Sequence, residues 1–229
     1  RDYPSARDTH QLGLDIPGLQ APSIWLDTAY QPGGQRYEYP RNTEWQGGSY
    51  TNPLEIDVAL ELVETCTAWA VQSWRGDPRE HGRGPDAPFE IGVVCFYLEQ
   101  ARQMRKAIFH RLRDGSDPWR REWSCPAANH APIDIHVSIV DRFQGREKDL
   151  VILCTTRSNP KGRRGHVDNL NRLNVAVTRA RHKRIVIGDS TTLAGQEGGR
   201  RRDPGDLLVR LYEGCEQKKK WGRALGGQS

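Results

Sequence analysis

The chain lacks long hydrophobic segments, paired cysteines and a leader-like start. No apolar run approaches the ~20 residues that span a bilayer, so we expect no membrane contact. The opening RDYPSARDTHQ has no apolar core like that of a signal peptide and no initiator Met, which indicates a piece of a longer protein. The five cysteines lie far apart without a CxxC pair, which argues against a disulfide framework or a zinc site. Such cysteine usage favours an intracellular compartment, cytoplasmic or nucleoid/nuclear.

Charge of one sign is only slightly in excess. The 229 residues include 34 Lys and Arg against 29 Asp and Glu, which gives a formal net charge of +5. This excess is compatible with a polyanionic partner but does not require one. The seven histidines are scattered without metal-ligand spacing, so no metal site is predicted.

Apolar runs and helical patterns alternate along the chain. Asn52 is a predicted N-cap, Pro53 the first helical residue and Glu55 the residue at the N3 position of a capping box. Strands are predicted at residues 23–27, 91–96, 135–140, 150–155 and 184–188, and helices at 53–73, 98–113, 169–181 and 204–212. Apolar strands that alternate with helices imply an α/β fold, with a mainly parallel sheet covered by helices on both faces. Ligands in such sheets bind at the carboxyl ends of the strands, and we expect the motifs that carry chemistry to lie close to such ends.

Irregular segments surround this alternating pattern. We divide the chain into an irregular lead-in at 1–22, a core at 23–195 and a C-terminal helix with a basic tail at 196–229. Two stretches within the core, 75–89 and 114–134, are predicted to be exposed inserts because they are rich in Gly, Pro and charge. A loop is predicted at 31–48 for similar reasons.

The run RLNVAVTRAR, at residues 172–181, carries the densest chemistry. It places Arg179 and Arg181 at the end of a predicted helix, just after Thr178. Arginine suits phosphate, because its planar fork is always charged and presents several donors. Taken alone, two arginines at a helix end usually just complement the helix dipole. These arginines are not isolated, however, because a second dense stretch, SIVDRFQGRE, lies upstream at residues 138–147.

The two stretches, in this order, resemble motifs V and VI of superfamily 1 helicases. GSYTNPLE, which precedes the first long helix, and GVVCFYLEQ at 92–100, which is similar to motif IV, extend the resemblance to residues 23–193. The branch that it resembles is the Upf-like and DNA-replication-helicase-like one. The resemblance implies the C-terminal, RecA-like domain of a motor that places its nucleotide between two such domains.

The resemblance implies roles at the nucleotide. Arg179 would be the arginine finger at the γ-phosphate, and Arg181 its helper or a residue that holds the motif in place. Glu147 would accept hydrogen bonds from the ribose hydroxyls, although a surface ion pair with Lys148 or Arg146 is the alternative. Gln144 and Gly145 would line the cleft, Gly145 because the backbone must come close or turn sharply there.

The resemblance also implies contacts to nucleic acid. Ser138 and Asp141 would couple the nucleotide cleft to the nucleic-acid surface, with a helix or turn cap as the alternative for Asp141. In the motif IV stretch, Tyr97 is a candidate for the same surface, and Gln100 touches the nucleic-acid backbone or braces the site. The basic loop of residues 159–168 includes Arg163 and Arg164, and it either contacts phosphates or is a mobile connector.

Two motifs of a complete motor are absent from the sequence. It contains neither a GxxxxGK[ST] loop nor a DExx run placed after a strand, so this piece alone should not hydrolyse ATP. The expected ligands are ATP and Mg²⁺, with the Mg²⁺ ligands in a missing first domain. The expected partners are that N-terminal RecA-like domain and single-stranded DNA or RNA. The alternative is a non-catalytic module that binds nucleic acid or protein.

Overall fold

Six parallel strands and one antiparallel strand form the main sheet. The structure, a computed structural model, describes residues 14–31, 33–41, 49–76, 87–112, 122–125, 133–143, 145–197 and 200–221. The strands of the main sheet are β1 (Ser23–Asp27), β4 (Phe89–Cys95), β5 (Glu122–Cys125), β6 (Ile133–Ile139), β7 (Lys148–Cys154), β8 (Ala180–Gly188) and β11 (Gln217–Lys220). The short strands β2 (Tyr39–Arg41), β3 (Ser49–Thr51), β9 (Gln196–Glu197) and β10 (Arg200–Arg201) lie outside this sheet. The sheet has the strand order β11-β1-β8-β7-β4-β6-β5, in which only β5 is antiparallel.

Helices cover both faces of this sheet. They are α1 (Gly33–Arg36), α2 (Pro53–Ser73), α3 (Leu98–Leu112), α4 (Leu170–Val177) and α5 (Leu207–Gly214). Buried side chains of α2 and α3, such as Leu62 and Met104, form one core with the strands, whereas Leu173 of α4 and Leu208 of α5 belong to a second core. The predicted α/β class, with a mainly parallel sheet between two helical layers, is confirmed.

Several predicted boundaries are wrong. The predicted loop at 31–48 contains α1 and β2 (Tyr39–Arg41), and β2 pairs with β3 (Ser49–Thr51). The predicted insert at 114–134 contains β5, and the insert at 75–89 ends on Phe89, which is fully buried. Part of the predicted basic tail is β11, the edge strand beside β1. Edge strands such as β5 and β11 pair through their backbones, so their sequences need no continuous apolar run.

The described part of the lead-in, residues 14–22, forms no helix or strand, yet it is anchored in the core. Leu14, Ile16 and Leu19 are buried in the core with α2. The ammonium group of Lys183, in β8, donates hydrogen bonds to the carbonyl oxygens of Leu19 at 2.6 Å and Ala21 at 2.7 Å. Burial lowers the pKa of Lys183 to about 8. Because a buried ammonium group needs acceptors, it holds these residues at the amino end of the sheet.

The connection from β6 to β7 has to pass over β4, which lies between these two strands. After the 3-10 turn Val140–Arg142, the ring of Phe143 is buried over Gly92 of β4 and stacks on His136 at 4.9 Å between ring centroids. A Cβ atom on Gly92 would lie 2.6 Å from Cζ of Phe143. The absent side chain therefore makes room for this crossing.

We predict that Gly92→Ala destabilises the protein by about 1–3 kcal/mol, because Phe143 must move out of a packed position. Chemical denaturation measures this loss. Gly214→Ala is the matched control, because a Cβ atom there meets nothing within 4 Å. Equal unfolding free energies for the two variants would contradict this account of the crossing.

Candidate functional site

The two densest motifs meet at the amino edge of the sheet. The loop that contains Glu147 leads into β7, and Arg179 directly precedes β8. The backbone N–H of Lys148 donates to the carbonyl oxygen of Arg179 at 3.0 Å, which holds the two segments side by side. The expectation that both motifs lie at carboxyl strand ends is therefore wrong for these residues. The predicted helix 169–181 ends at Val177, so Arg179 and Arg181 follow the helix, and Arg181 lies within β8.

Arg179 keeps an unneutralised charge. Its Nε donates to the carbonyl oxygen of Val175 at 3.1 Å, and its Nη2 contacts Oγ1 of Thr178 at 3.0 Å. Among the residues that the structure describes, no carboxylate pairs with it. The carbonyl groups at the end of α4 favour a cation at this point. The guanidinium is thus oriented by neutral groups and retains charge for an anionic ligand.

Arg181 has the opposite surroundings. Its Nη1 lies 2.7 Å from Glu90 Oε2 and 3.5 Å from Asp149 Oδ1, and its Nε lies 3.8 Å from Glu147 Oε2. Lys148 adds a contact to Glu90 at 2.5 Å. Asp149 is fully buried. Arg181 therefore neutralises an acidic cluster on β4 and β7 and joins it to β8.

Residues 145–147, which directly precede β7, form a turn that exposes Glu147 to solvent. Gly145 has φ 77°, a conformation that favours glycine in a sharp turn, and a Cβ atom there would meet nothing within 4 Å. The Glu147 side chain is 55% exposed, and its Oε2 lies 3.8 Å from Nε of Arg181. Lys148, one of the two predicted partners beside Arg146, pairs with Glu90. Gln144 lies outside the described residues.

The carboxyl edge of the sheet holds Ser138 and Asp141. Ser138 is buried near the end of β6. Asp141 does not cap the 3-10 turn, because both its carboxylate oxygens pair with Arg172 of α4, to Nε and to Nη2 at 2.9 Å each. This pair ties the start of the β6–β7 connection to the first turns of α4, whose far end precedes Arg179.

Tyr97 and Gln100 are buried below this edge. The Tyr97 hydroxyl accepts the backbone N–H of His166 at 3.0 Å, and so fixes one end of the basic loop. Oε1 of Gln100 accepts hydrogen bonds from the Thr51 hydroxyl at 3.1 Å and from the backbone N–H of Asn52 at 2.7 Å. Since Gln100 is fully buried, the geometry favours bracing over contact with a nucleic-acid backbone.

The two arginines of the basic loop differ. Arg164 is buried and forms a bidentate pair with Asp206, at 2.6 and 2.9 Å, beside a contact to Asp168 at 3.1 Å. The prediction that Arg164 contacts nucleic acid is therefore wrong, because its donors are taken by carboxylates. Arg163 is exposed, and its backbone N–H donates to Oδ1 of Asn159 at 2.9 Å. Its side chain remains a candidate for a phosphate contact.

Sequence reasoning missed Arg157, the most connected residue under the loop. Its guanidinium lies 4.2 Å above the ring of Tyr50 and 3.2 Å from Glu38 Oε1, and its Nε donates to the Arg163 carbonyl oxygen at 3.1 Å. Arg157 and Glu38 are both buried. The signal available in the sequence was TTRSN between the two densest motifs, an arginine in an otherwise neutral stretch.

The prediction that Glu55 completes a capping box is wrong. The capping box requires its carboxylate to reach the N–H of Asn52, but that N–H bonds to Gln100. The Glu55 carboxyl group instead accepts Oγ1 of Thr155 at 2.9 Å and the N–H of Thr156 at 2.8 Å. It is fully buried, and this burial raises its pKa to about 8.

Comparison with known proteins identifies the family. A family model described as an AAA domain matches residues 4–191. The chain belongs to this AAA-domain family. Its relatives are superfamily 1 helicases, which confirms the resemblance at that level.

Three relatives illustrate the similarity. The chain is 31% identical to DNA polymerase alpha-associated DNA helicase A of Saccharomyces cerevisiae over 195 residues, which are 80% of this chain and 23% of the relative. It is 47% identical to DNA replication ATP-dependent helicase/nuclease DNA2 of Bos taurus over 82% of this chain and 15% of the relative. It is 52% identical to DNA-binding protein SMUBP-2 of Rattus norvegicus over 61% of this chain and 14% of the relative. The chain thus spans less than a quarter of each.

The described residues contain neither a membrane-spanning helix nor a group of side chains that could hold a metal ion. Within the ranges described above, no helix has both the length and the apolar character needed to cross a bilayer. No group of three or more His, Cys, Asp or Glu side chains in those ranges is arranged to hold a metal ion.

We predict that Glu55 makes stability depend on pH. The folded protein keeps a proton on Glu55 up to about pH 8, whereas the unfolded chain releases it near the ordinary value of 4.5. The free energy of unfolding should therefore fall as the pH rises through this window, by at most about 1.4 kcal/mol per pH unit. Glu55→Gln cannot titrate and should remove this slope. Chemical denaturation across the window measures both proteins, and parallel curves would contradict a raised pKa.

Proposed function

We propose that the chain is the C-terminal motor domain of an ATP-dependent DNA or RNA helicase or translocase. The observation that carries this proposal is the unneutralised guanidinium of Arg179 beside the QGRE turn. Transfer of the γ-phosphoryl group spreads negative charge over its oxygens, and a motor needs a cation placed against them. Arg179 pairs with no carboxylate in the described part of the chain, and it is held by the end of α4 and by Thr178.

The neighbouring residues fit a nucleotide that lies against the amino edge. The exposed carboxylate of Glu147 suits the ribose hydroxyls, and the sharp turn at Gly145 leaves open space next to it. Arg181 has a different role from Arg179, because Glu90 and Asp149 neutralise its charge. We assign it the role of holding the amino ends of β4, β7 and β8 together.

The donor set fits half of a site for ATP with Mg²⁺. Beside Arg179 this edge offers the exposed carboxylate of Glu147. Among the described residues, no group of three or more His, Cys, Asp or Glu side chains supplies the cluster of ligands that Mg²⁺ takes in proteins. Mg²⁺ would neutralise charge on the phosphates, and its protein ligands are expected on the first RecA-like domain. In this proposal, closing of the two domains brings Arg179 to the γ-phosphate.

The carboxyl edge is the proposed path of the single strand. The basic loop lies there with Arg163 exposed, Tyr97 fixes the loop from below, and the pair of Asp141 with Arg172 connects this edge to α4. Exposed cations on such a loop suit a phosphate backbone. The names of the three relatives above all refer to DNA, so single-stranded DNA is the first substrate to test.

We predict that Arg179→Ala lowers strand-stimulated ATP hydrolysis of the full-length protein about 10³-fold, because the transition-state charge loses its cation. ATP binding and thermal stability should be kept, since Arg179 has no buried ionic partner. Arg102→Ala, which removes an exposed arginine of α3, is the control and should hydrolyse ATP normally. Absence of hydrolysis by the wild-type protein on both DNA and RNA, or full activity of Arg179→Ala, would favour the non-catalytic binding module.

Arg181→Ala should behave in the opposite way and mainly lose stability. It removes the guanidinium group between Glu90 and the buried Asp149, while Lys148 still pairs with Glu90, and this loss should cost on the order of 2 kcal/mol or more. Thermal unfolding of the two alanine variants separates these roles. Equal melting temperatures for Arg179→Ala and Arg181→Ala would show that the acidic cluster does not need Arg181.

A further inference from the structure

Thr156 has an unusual backbone conformation. Its φ is 69°, and among the described residues it is the one non-glycine residue with a positive φ. A β-branched residue rarely adopts this left-handed conformation, because its side chain crowds the backbone. Such a residue persists only where the surrounding structure holds it, and it is found most often at functional sites. Thr156 lies at the carboxyl end of β7, immediately before Arg157.

Two side chains from the start of α2 hold Thr156 from both sides. Nδ2 of Asn52 donates to the Thr156 carbonyl oxygen at 3.3 Å, and the Thr156 N–H donates to Oε2 of Glu55 at 2.8 Å. Oε1 of Glu55 accepts Oγ1 of the preceding Thr155 at 2.9 Å. Asn52, Glu55 and Thr156 are all fully buried, so water cannot replace these bonds.

Gln100 completes this arrangement from α3. It accepts the N–H of Asn52 at 2.7 Å, and its Nε2 donates to the Asn52 carbonyl oxygen at 3.3 Å. The helicase-like stretch SYTNPLE and the Gln of the motif IV stretch therefore converge on a single turn after β7. This convergence gives both of them a shared structural task.

The turn at Thr156 determines where the next residues go. Arg157 enters the space between Tyr50 and Glu38, and from there its Nε donates to the carbonyl oxygen of Arg163. Arg163 is in turn an exposed member of the basic loop. A change of the Thr156 backbone would move Arg157, and with it the support of the loop.

We propose that Asn52 and Glu55 form a latch that holds Thr156 in the left-handed conformation, and that the latch thereby positions the basic loop for binding a single nucleic-acid strand. Asn52 and Glu55 are positioning residues, since they do not reach the strand themselves. This inference rests on the proposed function, and it adds the residues that position the basic loop against the strand.

The protonation of Glu55 agrees with this role. Burial raises its pKa to about 8, so the carboxyl group is largely protonated near neutral pH. A protonated carboxyl group still offers its carbonyl oxygen to the Thr156 N–H, and its O–H can donate to Thr155. Glutamine has the same acceptor and a donor in nearly the same shape, so Glu55→Gln should preserve the latch.

The test measures the concentration of an oligothymidylate that gives half-maximal stimulation of ATP hydrolysis by the full-length protein. Glu55→Ala should raise this concentration about tenfold or more, because without the Glu55 carboxyl group the Thr156 backbone leaves its strained left-handed conformation and the loop shifts. The maximal rate should change much less, since Arg179 lies at the other edge of the sheet. Glu55→Gln and the matched control Glu61→Ala, an exposed glutamate of the same helix, should both behave as wild type.

A second substitution makes the test specific for the latch. Glycine adopts a positive φ without strain, so Thr156→Gly should restore strand affinity in the Glu55→Ala background. If Glu55→Ala fails to fold, the double variant decides, because it should fold and bind the strand. A Glu55→Ala protein with normal strand affinity, or a loss that Thr156→Gly does not restore, would overturn the latch.

The failure of the latch is distinguishable from failure of the proposed function. Lack of strand-stimulated hydrolysis in the wild-type protein would overturn the motor role. Fluorescence anisotropy of a labelled oligothymidylate then tests the latch by itself. Weakened binding by Glu55→Ala with recovery in the double variant supports it, and identical binding by all variants overturns it.

Discussion

The arrangement of the site depends on the parallel pairing of β7 with β8. This pairing places Lys148 beside Ala180, and the Lys148 N–H donates to the carbonyl oxygen of Arg179. Two motifs that are separate in sequence thereby become neighbours at one edge of the sheet. Because this hydrogen bond is formed by the backbone, it fixes the position of the Arg179 backbone independently of the side-chain conformation. The acidic cluster around Arg181 reinforces the same edge with side-chain contacts.

Two chain segments connect this amino edge of the sheet with its carboxyl edge. The β6–β7 connection crosses over Gly92 of β4, and α4 crosses back between β7 and β8. They are joined at the carboxyl edge by the pair of Asp141 with Arg172, and at the amino edge by the Lys148–Arg179 bond. A motor must link the state of its nucleotide to its hold on a strand. These paired connections, packed against one core, give a continuous physical route for such a link.

Strands β1, β4, β6 and β7 could be predicted from the sequence to within about two residues, because strands buried on both faces are apolar throughout. Strand β8 begins four residues before its predicted start at 184. The edge strands β5 and β11 could not, because backbone pairing leaves no apolar pattern in EWSC or QKKK. The end of α4 was missed for a related reason, since pairing of Arg181 within β8 overrides helical propensity. At the site, motif order identified Arg179 and Arg181, but their different surroundings depend on Glu90, which lies 91 positions from Arg181. Likewise, the role of Glu55 depends on Thr155 and Thr156, about a hundred positions away.

The most direct test of the central claim is a structure of the full-length protein bound to a single strand, Mg²⁺ and a transition-state analogue of ATP hydrolysis. The account predicts that the Arg179 guanidinium leaves Val175 and Thr178 and bonds to the γ-phosphate mimic, while Arg181 stays paired with Glu90. It also predicts that the strand lies on the carboxyl edge, against the basic loop. A nucleotide bound away from the amino edge, or an Arg179 side chain that keeps its present bonds at a filled site, would contradict the account.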